Sequence, residues 1–193
     1  MQIFFRAKFR WPEQHHHRSL HVFLTRLSTF AVMKILLDQF ADYGRWANER
    51  FVVRLKQLPE ALLDSPVPNS FPSLRATLLH IRDAEHAWWC RLNNLPTRWP
   101  AQPETEIDTL IHHTEQLRMF VHEQQPGDLL REHTYTDLRG NAYTQPAWQM
   151  IMHCLNHSTQ HRGQLITMMR SLGLSDIPAN DLVVYQRFSS KLL

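Results

Sequence analysis

The sequence predicts an all-α fold: four long helices packed as a bundle, with a short hairpin-like insertion before the last. Three observations carry that prediction. Apolar residues recur at three- and four-residue spacing through four long stretches, the signature of helices with one buried face. Proline-rich segments separate those stretches. The composition is 43% hydrophobic and 20% charged with only five glycines in 193 residues, which fits a helical globule rather than a sandwich or a disordered chain.

The first helix is expected over about Lys34–Leu58, with Leu36, Phe40, Tyr43, Ala47 and Phe51 on one face. The stretch PEALLDSPVPNSFPS ends it. The second runs from Ser73, a suitable N-cap, to Leu92, burying Leu74, Leu78, Ile81, Ala84 and Trp88. After the linker NNLPTRWPAQP, a third helix over Glu104–Glu123 carries Ile107, Leu110, Ile111, Leu117 and Val121. In REHTYTDLRGNAYTQP, Arg139-Gly140-Asn141 has turn chemistry between two strand-compatible runs. The fourth helix starts near Pro146 and ends near Leu172, with Gly173 as its C-cap glycine. A short amphipathic tail, DLVVYQRF, follows.

Residues 1–32 read as an extension outside the body, which starts at Met33. They carry Arg6, Lys8, Arg10, Arg18 and Arg26 against Glu13 alone, a net +4, and low order or a misassigned start is expected there. Residues 33–193 hold 16 basic and 17 acidic groups, a net −1, so the pI near 9.1 belongs to the extension. A near-neutral body lacks the electrostatic footprint of phosphate binding, and no nucleic-acid partner is expected. No apolar run reaches the length of a membrane span, so no membrane partner is expected either. Cys90 and Cys154 form no disulfide framework or Cys-x-x-Cys motif. They read as packed small hydrophobes in a cytoplasmic protein.

The chemistry concentrates in HCLNHSTQHRGQL, residues 153–165, where His153, His157 and His161 stand four apart. Thirteen histidines make about one such pair by chance, so the spacing alone decides little. Each four-residue step advances about 40° and 6 Å, which lets neighbours chelate one ion but leaves the outer two about 12 Å apart. A third ligand must therefore come from another helix. The row shares its face with Met150, Leu165 and Met168, and imidazoles placed there need partners. Metal binding and hydrogen-bonded core histidines stand even on pattern alone. His80, beside the apolar stripe of the second helix, is the candidate third ligand. His86 falls on another face, and Asp83 and Glu85 read as carboxylates near the site or as surface charge. His112, His113, His122 and His133 are expected at the surface. Arg162 is expected to neutralise an acidic group of the first helix such as Glu49, or to orient substrate. Gln164 suits support of a ligand histidine, and Gly163 close helix approach. Trp46, Trp88 and Trp89 read as core.

Together, MKILLDQFADYGRWANERF, SFPSLRATLLHIRDAEHAWWCRL, HCLNHSTQHRGQLITMMRSLG and NDLVVYQR give residues 33–188 a resemblance. The body resembles the DinB/YfiT-like family of helical-bundle metalloenzymes, distinct from the similarly named DNA polymerase. The resemblance implies a four-helix bundle of up-down-down-up topology, commonly dimeric. It also implies one divalent transition metal held by His80, His157 and His161, with His153, Arg162 and Gln164 in the surrounding shell or pocket. Zinc or nickel is the first expectation for the ion, iron or manganese the second. The linker of about ten residues reaches about 33–36 Å extended, enough to run the length of a helix between parallel neighbours.

Three histidines leave a coordination position open to water or substrate, the arrangement of a catalytic rather than a closed structural site. A water activated there is the expected nucleophile. The functional expectation is a metal-dependent hydrolase or a thiol-dependent transferase acting on a small molecule, with a low-molecular-weight thiol among the candidate substrates. The alternative is a non-catalytic metal-binding stress-response or scaffold protein. A DNA-associated role is disfavoured by the charge of the body.

Overall fold

The computed structural model describes residues 14–137 and 139–190, with side chains from residue 30 onward. Helix α1 spans Gln14–Leu55, α2 is a single turn at Glu60–Leu63, α3 spans Leu74–Leu92 and α4 spans Thr109–Glu123. Strands β1 (Glu132–Thr136) and β2 (Ala142–Pro146) form an antiparallel hairpin with Glu132 opposite Pro146 and Thr136 opposite Ala142. Helix α5 spans Ala147–Ser171 and α6 spans Leu182–Ser189.

Four long helices, α1, α3, α4 and α5, make the bundle. Each packs on two of the others, so that α1 and α3 lie diagonally opposite. Their directions follow from two apolar clusters at the two ends. One gathers Leu55 from the end of α1, Leu74 and Leu110 from the starts of α3 and α4, and Met169 from the end of α5. The other gathers Leu37 near the start of the packed part of α1, Leu92 and Val121 from the ends of α3 and α4, and Met150 from the start of α5. The order is therefore up-down-down-up, as the sequence resemblance implies.

Local chemistry explains the boundaries. Ser73 caps α3 by accepting a hydrogen bond from Ala76 N at 3.2 Å. Gly173, at φ 77°, ends α5 in the left-handed conformation that glycine adopts without steric penalty. Asp137 accepts from the N–H groups of Arg139 and Asn141 and so closes the hairpin turn.

The parallel pair α3 and α4 requires a connection that runs back along the bundle, and Arg82 holds it there. Its guanidinium donates to Glu104 O at 2.5 Å, Gln102 O at 3.2 Å and Asp83 Oδ1 at 2.8 Å. Asp83 in turn accepts from Ala101 N at 3.0 Å. Both side chains are buried, and each is fully employed in fastening the crossover.

Helix α1 begins at Gln14 rather than Lys34 and ends at Leu55 rather than Leu58. The apolar period through Leu20, Leu24 and Leu27 continues into the body without a proline or glycine, so nothing local stops the helix at Met33. The expected low order of residues 1–32 falls, for residues 1–13, outside the described residues. Along the predicted buried face of α1, Tyr43, Ala47 and Phe51 are buried as expected, while the first position differs. Leu36 is 56% exposed while Leu37 is fully buried in line with Ala41 and Asn48. Gly163 faces outward with open space where a Cβ would stand, so it serves no close helix approach.

Candidate metal centre

Near the middle of the bundle, α3 contributes His80 and α5 contributes His157 and His161, one turn apart. Nε2 of His157 lies 3.2 Å from Nε2 of His80 and 3.0 Å from Nε2 of His161. One ligand atom from each of the three lies within 4.8 Å of the other two. Two nitrogens bound to one ion at about 2.0–2.1 Å stand about 2.9–3.4 Å apart at the usual coordination angles, so both close contacts match shared ligation. Without an ion the cluster is awkward, because three ring nitrogens face one another and no carboxylate sits among them.

The surroundings orient the rings. Gln164, one turn beyond His161, accepts from His161 Nδ1 at 2.7 Å and donates to Ser70 Oγ at 2.9 Å. An amide oxygen only accepts, so His161 carries its proton on Nδ1 and keeps the Nε2 lone pair free. Phe71, from the loop before α3, stacks on His80 at 4.0 Å between ring centroids and meets His161 edge-on at 5.5 Å. Trp99, from the crossover, meets His80 edge-on at 5.6 Å. His157 Nδ1 is buried without a partner among the described residues.

Burial keeps all three imidazoles neutral at ordinary pH. Desolvation, then the neighbouring His161, lowers His80 to about 4. Desolvation, with His161, His80 and His153 adding to it, lowers His157 to about 3. His161 is lowered by desolvation, against the opposing bond to Gln164. Neutral imidazole is the form that binds a transition metal.

His153 stands apart from this trio. Its ring lies 6.0 Å from that of His157 and meets Trp88 edge-on at 4.8 Å. It lines a cleft of about 340 Å3 that opens beside His80 and His157. Trp88, expected in the core, is a wall of this cleft.

Several neighbouring residues do other work. Arg162 is fully buried and donates to Asn48 Oδ1 at 2.9 Å and Thr159 Oγ1 at 2.8 Å, with Tyr43 5.0 Å from its guanidinium carbon. Its expected partner Glu49 pairs instead with Arg45, because Glu49 lies outside the buried face that presents Asn48. Glu85 is neither at the metal centre nor at the surface. It is fully buried and accepts from Asn48 Nδ2, Thr114 Oγ1 and Ser158 Oγ at 3.1, 2.5 and 2.8 Å. Burial raises its pKa, and the Thr114 and Ser158 hydroxyls oppose that rise most. The resulting polar layer takes one or more residues from each long helix. Phase already separates Glu85 from the ligand face, since five residues past His80 is about 140° round the helix. His113 and His133, expected at the surface, are buried. His113 packs against His86 and bonds Gln102 at 2.9 Å. Cys90 and Cys154 are buried and free, as expected.

Fold and site together define a class: an up-down-down-up helical bundle whose second and fourth long helices turn three imidazoles toward one point. The chain belongs to the DinB family, whose model matches residues 29–187. Protein DinB of Bacillus subtilis (strain 168) is 23% identical over 152 residues, covering 72% of this chain and 87% of that protein. Among solved structures, a DinB-like protein from Bacillus subtilis matches with a TM-score of 0.57 at 16% identity, covering 74% of this chain and 97% of its own. A DinB-like protein from Bacillus cereus ATCC 10987 matches with a TM-score of 0.52 at 22% identity, covering 72% of this chain and 94% of its own. At these identities the structures speak to the fold. Among the described residues no helix is long and apolar enough to cross a membrane.

Proposed function

We propose that the protein is a metal-dependent enzyme of the hydrolase or thiol-transferase type, with His80, His157 and His161 as the ligands of one divalent ion, zinc or nickel. The observation that carries this reading is the approach of the three imidazoles to within 4.8 Å of one another. Bound there, such an ion supplies Lewis acidity toward a carbonyl or thiol group.

The chain's own residues supply the rest. Gln164 fixes the tautomer of His161. Phe71 covers His80 and keeps bulk water from that side. The cleft edged by His80, His157 and His153 gives a small molecule access to the ion, which favours an enzyme over a closed metal-binding module.

A cytoplasmic location follows the cysteine usage. A homodimer is supported by the exposed apolar residues Val32, Ile35 and Leu36 on α1. The body from Met33 acts as the metal-binding unit, with residues 1–32 as its extension.

The test is turnover by zinc- and nickel-loaded protein across esters, amides and thiol adducts, with the His157→Ala variant as control. Turnover that requires both the ion and His157 is expected. Stoichiometric metal without turnover of any of these substrates contradicts the enzymatic reading and leaves a metal-binding module.

A further inference from the structure

The cleft beside the three histidines has a net positive lining, two arginines against one carboxylate. Arg91 lies on its wall, on the same stripe of α3 as His80, Ala84, Ala87 and Trp88. Its guanidinium carbon lies 4.6 Å from the Trp88 ring and 5.1 Å from the Tyr135 ring. Among the described residues its sole hydrogen bond runs from Nη2 to Thr136 O at 3.3 Å, and its Nε is buried without a partner. Arg139, on the hairpin turn, lines the same cleft. The carboxylate there, Asp137, accepts from Arg139 N, Asn141 N and Asn141 Nδ2 and makes no hydrogen bond to either guanidinium among the described residues, although its charge acts on Arg91.

The two rings, themselves in contact at 5.2 Å, favour the guanidinium beside them. Its buried Nε–H and largely unused Nη groups are nonetheless costly to leave without an acceptor, which an anion in the cleft would supply. Arg91 also stands where this cleft meets a second cavity of about 520 Å3, and both cavities share Trp99 and Asp137. Eleven residues separate Arg91 from His80, which places their Cα atoms ~16 Å apart along the helix.

We infer that the cleft binds an elongated small molecule bearing a carboxylate, which Arg91 and Arg139 engage at one end. Its apolar middle lies against Trp88, Ala84 and Ala87, and its other end is presented to His80 and His157. This assignment of substrate class rests on the metal-site reading only for what happens at the histidine end.

The probes are 6-phenylhexanoate and its neutral counterpart 6-phenylhexanamide, titrated into the metal-loaded protein by calorimetry and tryptophan fluorescence. Charge-assisted hydrogen bonds of this kind predict a preference of about tenfold or more for the carboxylate. In Arg91→Met the preference is expected to fall to about twofold or less, while amide binding holds. Arg91→Lys is expected to keep part of it. Arg139→Met, on an exposed turn that tolerates substitution, is expected to lower it by a smaller factor and serves if Arg91→Met does not fold. Equal affinities in wild type, or an unchanged preference in the arginine variants, overturn the inference. The same titrations on chelator-treated protein separate the two claims. A carboxylate preference that survives chelation is expected, because the arginines and not an ion supply it, and a preference lost with the ion contradicts this inference alone. A protein that takes up no zinc or nickel yet keeps the preference contradicts the metal reading alone. Stoichiometric metal with no carboxylate preference contradicts this one alone.

Discussion

Nε2 of His80 approaches Nε2 of His157 to 3.2 Å across the seam between α3 and α5, 77 positions apart in the chain. One helical turn further along α5, His161 closes the group at 3.0 Å from His157. The bundle places both helices so that neutral imidazoles meet where neither has a carboxylate to bond.

Gln164 acts through His161. Replacing it with leucine removes the acceptor that holds the proton on Nδ1, leaving the ring free to turn or change tautomer. Metal affinity is expected to fall about 10–100-fold in Gln164→Leu, with little loss of folding stability. Competition with a chromophoric chelator measures this, and an unchanged affinity contradicts the role assigned to Gln164.

The depressed imidazole pKa values make the metal-free fold acid-sensitive. His80 at about 4 and His157 at about 3 lie below the unfolded value near 6.5, so the unfolded chain binds more protons between those limits. Their contribution is therefore complete above about pH 6.5 and is lost as pH falls toward 4 and then 3. His113, lowered to about 4 chiefly by burial, adds to the same trend. Urea midpoints of chelated protein should drop steadily from pH 7 to pH 4.5. A flat profile contradicts the burial argument.

Glu85 joins the four helices through hydrogen bonds from Asn48, Thr114 and Ser158, with Arg162 bound to Asn48 close by. Glu85→Ala strands three buried donors and withdraws the carboxylate that faces Arg162. Destabilisation by about 3 kcal/mol or more is expected in urea denaturation. A loss under about 1 kcal/mol shows that the layer relaxes or admits water.

Much of the fold was legible because its signals are local. Ser73, Gly173 and the turn at Asp137–Asn141 mark boundaries through backbone chemistry that needs no tertiary partner. The start of α1 departs from expectation because the change in charge at Met33 is not a structural boundary: no helix-stopping residue stands there. Parts of the site were legible for a similar reason. Four-residue spacing restricts His153, His157 and His161 to an adjacent pair, and the family resemblance selects the pair and names His80. The partners were not legible. Phe71 reaches His80 from the loop before α3, and Trp99 reaches it from the crossover held by Arg82. Asp83, Glu85 and Arg162 carry charges that usually mark a surface. Their burial depends on hydrogen bonds from other segments of the chain, which no one-dimensional pattern records.

The most direct measurement is metal content of the untagged protein, set against its His157→Ala and His153→Ala variants. Close to one divalent ion per chain is expected in the wild type and in His153→Ala, and little in His157→Ala. A folded, metal-free wild type that takes up no zinc or nickel, or a loss in His153→Ala equal to that in His157→Ala, contradicts the three-histidine centre.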